Sequence, residues 1–420
     1  MNDEILLGKI SRCQICGGSI EEIVSFGHQA PVQRYLTREQ LSEPETTYPL
    51  NWHWCSSCGL VQIDYAADPR IVFPKEYPYQ SSMTKNLRED FADLAEKAAK
   101  KCAFSKNALV VDIGSNDGTL LGNFKKRGFR VLGVEPTNVA SIAIKNGIPT
   151  VNKFFSENVA EDIVKTHGKA SIVTAANVFA HVNNLFPAIR AIRGMLEDDG
   201  LFVSESHYLL DLVQKSEYDT IYHEHLRYYS LRPLMRLHEM LGFRVIDAER
   251  IVPHGGSIRI YAVKKESPTA SQQSPRLQEL LHLEEQAGLY KKGTFEQLGK
   301  RIIGIRHDLL SILIGIKKSG ASIVGISAPA RSSMLLGYCH IDDKILDYVV
   351  EREGSLKIGL YTPGTHIPIV NEQRLFEDHP EYALILSWHF ADELMRKLRQ
   401  LGYKGRFIMP LPEPGIVDGI

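Results

Sequence analysis

The sequence predicts an α/β protein in three blocks. These are a small metal-dependent N-terminal module, a doubly wound unit in the middle, and a second Rossmann-like unit at the C-terminus. Three observations predict it: two C-x-x-C pairs near the start, strand–helix alternation in the middle, and a restart of that alternation after residue 320. Regular alternation of strand and helix implies a parallel sheet covered by helices. A chain of 420 residues also exceeds one ordinary core. The expected divisions are 1–80, 81–268 and 269–420.

The composition narrows the function classes. With a net charge of −1 there is no whole-chain basic footprint for nucleic acid or an anionic membrane surface. The N-terminus MNDEILLGKI lacks a basic start followed by a long apolar run, so no signal peptide is evident. The longest apolar run, LLSILIGI at 309–316, is too short to span a bilayer. A cytoplasmic protein with no membrane and no nucleic-acid partner is expected.

In the first block, Cys13/Cys16 and Cys55/Cys58 form two C-x-x-C pairs, and a glycine follows the second cysteine of each. Two thiolates at this spacing reach one ion from a single tight turn, and glycine permits the left-handed backbone of such a turn. In a cytosolic chain paired C-x-x-C reads as metal before disulfide. Zinc with four thiolates leaves no open position, so the expected role is structural. The pairs are 38 residues apart, which calls for an inserted loop or strand pair.

The middle block opens with KNLREDFADLAEKAAKKCA, spaced as a helix, and then ALVVDIGSNDG, a strand ending in a glycine-bearing turn. GTLLGNFKKRGF reads as a helix, FRVLGVEPT as a strand, and ASIVTAANVFAHV as a strand and loop. FPAIRAIRGMLEDDG is expected to be a helix closed by Gly200, and LFVSES a fourth strand. Asp112, Gly114, Ser115, Asn116, Asp117 and Gly118 form D-x-G-x-N-x-G, which is not a dinucleotide G-x-G-x-x-G. Two acidic groups there disfavour a pyrophosphate and suit a ligand of positive character, such as S-adenosylmethionine. Glu135, followed by Pro136, ends the second strand, where a carboxylate can accept from two ribose hydroxyls. Asn177 and His181 sit at the edge after the third strand.

YHEHLRYYS at 222–230 places two histidines, a glutamate and three tyrosines in nine residues. Histidines at i and i+2 do not share a helix face, so a second metal is disfavoured. A histidine titrating near neutrality suits a general base, and a neighbouring carboxylate can orient it. Tyr77, Tyr79, Ser81 and Ser82 in YPYQSS lie at the first junction, a favourable place for a ligand cleft. HGGSIR offers His254, Ser257 and Arg259 in a turn that reads equally as a hairpin.

After the polar stretch KKESPTASQQSP, residues 274–318 read as helix interrupted near Gly288 and Gly293. ASIVGIS, KILDYVVE, YALILSW and RFIMPLP then read as strands, with SMLLGYC and ADELMRKLRQLGY as helices.

Together these features resemble the deoxysugar C-methyltransferases, specifically the TDP-4-keto-hexose 3-C-methyltransferases. The matching segments are both C-x-x-C pairs, Y-x-Y-x-S-S, D-I-G-S-N-D-G, N-x-x-x-H, Y-H-E-H-L-x-Y-Y-S, H-G-G-S-x-R, A-P-A-R and Y-T-P-G-T-H-I-P. The resemblance covers all three blocks in order. It implies a zinc-binding N-terminal domain, a class I S-adenosylmethionine domain, and a C-terminal Rossmann-like domain that encloses the nucleotide sugar. It also implies His225 as base at C3, with Tyr222 and Glu224 beside the sugar and His181 and Tyr77 or Tyr79 completing the site. The family turn G-x-G-A-P-A-K-G is GISAPARSS here, and Arg331 in the lysine position suits a diphosphate. Substrate contacts are expected from Ser81, Ser82, His254, Ser257, Arg259 and Arg331. Three domains can enclose a cleft without a partner, so a monomer is expected. The competing readings are O-methylation of a hydroxyl and a non-catalytic zinc-bearing scaffold.

Overall fold

A computed structural model describes residues 7–73, 80–101, 105 and 107–418. Its middle sheet has seven strands. Leu109–Ile113 lies centrally, flanked by Arg130–Val134 and Thr150–Val151 on one side and by Ala170–Ala176 and Leu196–His207 on the other. Ser257–Lys264 then pairs antiparallel with Leu196–His207, and Phe243–Ile251 pairs antiparallel with it to end the sheet. Leu109–Ile113 is apolar except for Asp112 and wholly buried, as a parallel strand covered on both faces must be. Its neighbours on the two sides are reached by crossovers of opposite sense, so ligands are expected at its C-terminal edge.

The expected strands are present, with differences that have local causes. The fourth begins at Leu196, so the preceding helix ends at Met195 rather than at Gly200. Thr150–Val151 is too short to show a period in sequence. Among the described residues the long helical region breaks once. Gly288 takes a left-handed conformation between Arg276–Gln286 and Lys292–Lys318, whereas Gly293 lies inside the second helix.

The N-terminal sheet contains a segment remote in sequence. Ile20–Gln29, Tyr48–Cys55 and Val61–Ile63 form an antiparallel meander, and Arg227–Tyr228 adds to its edge beside Val61 and Gln62. Trp52 is fully buried there, and the ring of Phe295 stacks on Trp54 at 5.7 Å. The six-stranded C-terminal sheet is parallel except for its last strand, Gly415–Val417. Its central strand, Ile323–Ile326, has neighbours on both sides and makes a second such edge.

The blocks are stitched together. Tyr35 donates to the Ala328 carbonyl at 2.8 Å, and Glu45 accepts from the Gly364 amide at 2.9 Å. Glu284 accepts from Tyr208 and from the Leu231 amide at 2.8 and 2.6 Å. Among the described residues no helix is long and apolar enough to cross a membrane.

Candidate active site

The two cysteine pairs converge. The sulfurs of Cys13, Cys16, Cys55 and Cys58 all lie within 4.8 Å of one another, and Cys13–Cys58 and Cys16–Cys55 are 3.5 Å apart. A tetrahedral zinc–thiolate site has sulfur–sulfur edges of about 3.8 Å, so the donors fit zinc. Both turns are built alike: Gly17 donates to the Cys13 carbonyl and Gly59 to the Cys55 carbonyl, each with positive φ. Burial pushes the Cys55 thiol up to about 11 and the hydrogen bond to Cys13 pushes Cys58 further up, while the same hydrogen bond holds Cys13 down at about 5.

The turn after Leu109–Ile113 is ordered by its own side chains. Glu135 accepts from the Asn116 amide at 3.0 Å, and its other oxygen accepts from Thr137 nitrogen and hydroxyl at 2.9 and 2.7 Å. Asn116 in turn accepts from the Ser81 amide at 2.8 Å. Gly114, Asn116, Glu135, Pro136 and Asn177 line one large cavity. The Asn177 side-chain oxygen is buried with no hydrogen-bond partner among the described residues, and Asn177 itself has φ of 57°. An acceptor left bare beside an oriented carboxylate fits a ligand bearing ammonium and ribose hydroxyl donors. These residues therefore fit S-adenosylmethionine, the family's methyl donor.

Not every residue of that motif faces the cavity. Asp112 is buried behind it, accepts from Thr174 at 2.6 Å, and is pushed up to about 7 by burial. Asp117 accepts from Thr119 nitrogen and hydroxyl, which fixes the turn ahead of the following helix, and it receives the Ser82 amide at 2.8 Å. The Ser115 hydroxyl is buried, and Gly118 faces a smaller surface pocket.

The cavity measures about 2020 Å³ and is lined from all three blocks. Four of the imidazoles that line it stand ring against ring. His225 lies 4.9 Å from His181 and 4.8 Å from His207, ring centre to ring centre, and His207 lies 5.5 Å from His254. Tyr222 stacks on His225 at 4.2 Å. The Nδ1 of His225 is 2.7 Å from the Thr220 carbonyl, and that of His181 is 2.8 Å from the Glu224 carbonyl. A carbonyl only accepts, so each Nδ1 carries the proton and each Nε2 is left as the basic nitrogen. Burial holds His181 and His254 down at about 4, and His207 and His225 well below the usual histidine range.

The segment holding His225 is anchored from two blocks. Its Leu226 amide donates to Ala180 and its Leu226 carbonyl receives Ile63. Arg227, fully buried, donates to the carbonyls of Phe179, Val182 and Asn183 at 3.2, 2.6 and 3.1 Å. Glu224 also lines the cavity. Among the described residues only the four cysteines converge as metal ligands.

The expected substrate residues divide. Ser81, His254 and Arg331 line the cavity, whereas Ser82, Ser257 and Arg259 do not. The Ser257 hydroxyl donates to the Pro253 carbonyl at 3.0 Å. Arg259 is wholly buried on the far side, bound to Glu205, Asp90 and Asp93 at 2.5, 2.8 and 2.8 Å. Its placement corrects the expectation of a substrate contact, because all its charge is spent within the fold. Arg331 is held by Asp219 and Glu217 at 2.7 and 3.2 Å, and Trp388 donates to the same Asp219 at 2.8 Å. Tyr77 and Tyr79 lie outside the described residues. Sequence reasoning missed His207, Trp388 and His389, all of which line the cavity. His207 ends a strand at the ligand-binding edge, which is the signal that could have found it.

Three family models match the chain in order. "Putative zinc binding domain" covers residues 13–73, "Methyltransferase domain" covers 83–248, and "C-methyltransferase C-terminal domain" covers 252–412. The C-methyltransferase NovU of Streptomyces niveus is 31% identical over 414 residues, covering 97% of each chain. A solved magnesium protoporphyrin IX methyltransferase from Synechocystis with bound S-adenosylmethionine is 12% identical, covers 42% of this chain and 79% of its own, and has a TM-score of 0.33. The 1,6-didemethyltoxoflavin-N1-methyltransferase of Burkholderia thailandensis is 16% identical, with 42% and 77% covered and a TM-score of 0.33. The class I methyltransferase fold rests on the strand order itself, with one antiparallel strand inserted beside the end of the sheet. With the cysteine cluster, the methyl-donor edge and three family domains in sequence, the chain belongs to the C-methyltransferase family.

Proposed function

We propose that the protein methylates carbon 3 of a TDP-linked 4-keto hexose, with His225 as the base. The observation that carries this reading is the fixed tautomer of His225. Its Nδ1–H is tied to Thr220, so a basic Nε2 remains on a residue that lines the cavity. A hydrogen next to a ketone is acidic enough for a neutral imidazole to remove in a site that stabilises the enolate. The Tyr222 hydroxyl is the donor near His225 that would hold the developing oxyanion, while His181, a neutral imidazole whose one N–H is spent on the Glu224 carbonyl, would line the wall beside it. S-adenosylmethionine supplies an electrophilic methyl group on sulfur, and Glu135 and Asn177 would orient it.

The size of the cavity supports a large acceptor, since it admits both a methyl donor and a sugar nucleotide. Arg352 and Lys357 bring positive charge from the C-terminal edge, and Trp388 offers an aromatic face. Arg331, already neutralised by two carboxylates, would fix the wall rather than carry the diphosphate alone. All three blocks of one chain line the cavity, which supports a monomer. The divisions near 80 and 268 remain our domain assignment. The test offers TDP-4-keto-6-deoxy sugars, with and without a 2-hydroxyl, together with the methyl donor. A product heavier by one methylene, with the new methyl on C3, is expected. Methyl on oxygen would establish the competing O-methyltransferase chemistry.

A further inference from the structure

Methylation at carbon has a proton balance that the site must meet. The C3–H bond breaks, a C3–CH3 bond forms, and the sulfonium becomes a neutral thioether. One proton is left over in each turnover and does not return to the product. His225, its proposed acceptor, is 3% exposed, and its second nitrogen is committed to Thr220. His207 and His254 line the same cavity as His225. The proton must still leave His225 before the next turnover.

We propose that His207 and His254 form that exit, relaying the proton from His225 to solvent. The proposal rests on the reading of His225 as base. His207 is the last residue of Leu196–His207, and its ring touches His225 on one side and His254 on the other, at 4.8 and 5.5 Å between centres. Among the described residues no hydrogen bond joins these rings directly, and at these separations one intervening water would bring their nitrogens into proton-transfer reach. No side-chain hydrogen bond to a carbonyl fixes His207 in one tautomer among the described residues, unlike His225 and His181. His254 is half-buried in the cavity wall, in a turn two residues from Val252, which is 83% exposed. It holds a left-handed backbone, with φ of 60° and ψ of 24°, which is unusual for histidine and sets the ring against His207. Arg331, beside the turn, donates to the His254 carbonyl at 3.5 Å and disfavours a charge resting on that ring.

The balance is simple. His225 Nε2 takes the C3 proton, His207 accepts it at one nitrogen and releases the proton of its other nitrogen to His254, and His254 releases one to water. Burial and the neighbouring cations keep His207 and His254 neutral, so an arriving proton is not trapped.

His207 would act through His225, so it is a positioning and relay residue, and its test must separate relay from folding. The substrate is a TDP-4-keto-6-deoxy sugar deuterated at C3, bound to the full-length protein with S-adenosylhomocysteine in place of the methyl donor. In the parent protein, deuterium washes out into light water. His207→Phe keeps the bulk of the ring and should slow washout by about tenfold or more, as loss of a proton-transfer group does. Its steady-state methylation should fall further than its first turnover. Imidazole added to His207→Ala should restore washout. Washout in His207→Phe equal to that of the parent would overturn the relay. The reading of His225 has its own readout: with the methyl donor present, a product that keeps its deuterium at C3 sinks C3 methylation itself. If His207→Phe is not folded, His207→Gln and the imidazole rescue carry the same decision.

Discussion

His225 donates its Nδ1 proton to the carbonyl of Thr220 at 2.7 Å, and this single bond decides which nitrogen can act as a base. Thr220 lies only five residues earlier, so the bond is local. It is held in place by long-range stitching through Arg227 and Leu226.

Replacing His225 with alanine should lower methyl transfer by about 10²–10⁴, the usual contribution of a general base. Binding of the methyl donor should survive, since His225 is not among the groups that order the donor edge. Turnover measured beside donor binding by calorimetry checks both halves.

How much of this was legible in the sequence depends on range. The cysteine site was legible because its geometry is set by two tight turns. The donor edge was legible because a strand, a turn and Glu135 follow one another. The imidazole column was only half legible. YHEH drew attention by density, but His207 is a lone histidine at a strand end, and it meets His225 only because Leu196–His207 lies inside the sheet. HGGSIR was harder to divide. A β-strand alternates its faces, and within this turn and strand His254 reaches the cavity while Arg259 lies among Glu205, Asp90 and Asp93.

Arg259 therefore yields a stability prediction, not a binding one. Removing one member of a buried ionic cluster leaves the others uncompensated and costs about 3–5 kcal/mol. Arg259→Met should lower the denaturation midpoint strongly, while the KM for the sugar nucleotide in the folded fraction stays near that of the parent.

Zinc loss should reach the active site. Cys55→Ser is expected to lower zinc content and thermal stability together, and activity with them. The strand Val61–Ile63, close to Cys58, carries Arg227–Tyr228 at the sheet edge and so holds the His225 segment. Metal analysis alongside melting and turnover tests this, and full zinc occupancy in the variant would contradict the ligand assignment.

Acid should destabilise the fold before it titrates ordinary carboxylates. His181, His223, His238 and His254 are held down at about 4 by burial, and His207 and His225 lie well below their usual range. Unfolded histidine binds its proton near pH 6.5. Between about 6.5 and 4 the unfolded state thus holds more protons, and stability falls as pH falls. Asp112 and Glu205, pushed up to about 7 and about 8, work the other way with Asp90, Glu217 and Glu284, but they are outnumbered once His389, held down at about 3, joins the six. Urea midpoints across that range should decline steadily, and a flat profile would show the histidines to be solvated.

Glu135→Ala should weaken binding of S-adenosylmethionine by at least about tenfold, near 1.4 kcal/mol. It removes the oriented carboxylate and also the acceptor that orders the Asn116 amide. An unchanged dissociation constant would count against the ribose contact.

The central claim, a carbon nucleophile made by His225, is tested most directly by hydrogen–deuterium exchange at C3 of a TDP-4-keto-6-deoxy sugar in heavy water. Exchange that the protein catalyses and that disappears in His225→Ala is the predicted result. Exchange that persists unchanged in His225→Ala, or none at all in a protein that still transfers methyl groups, would contradict it.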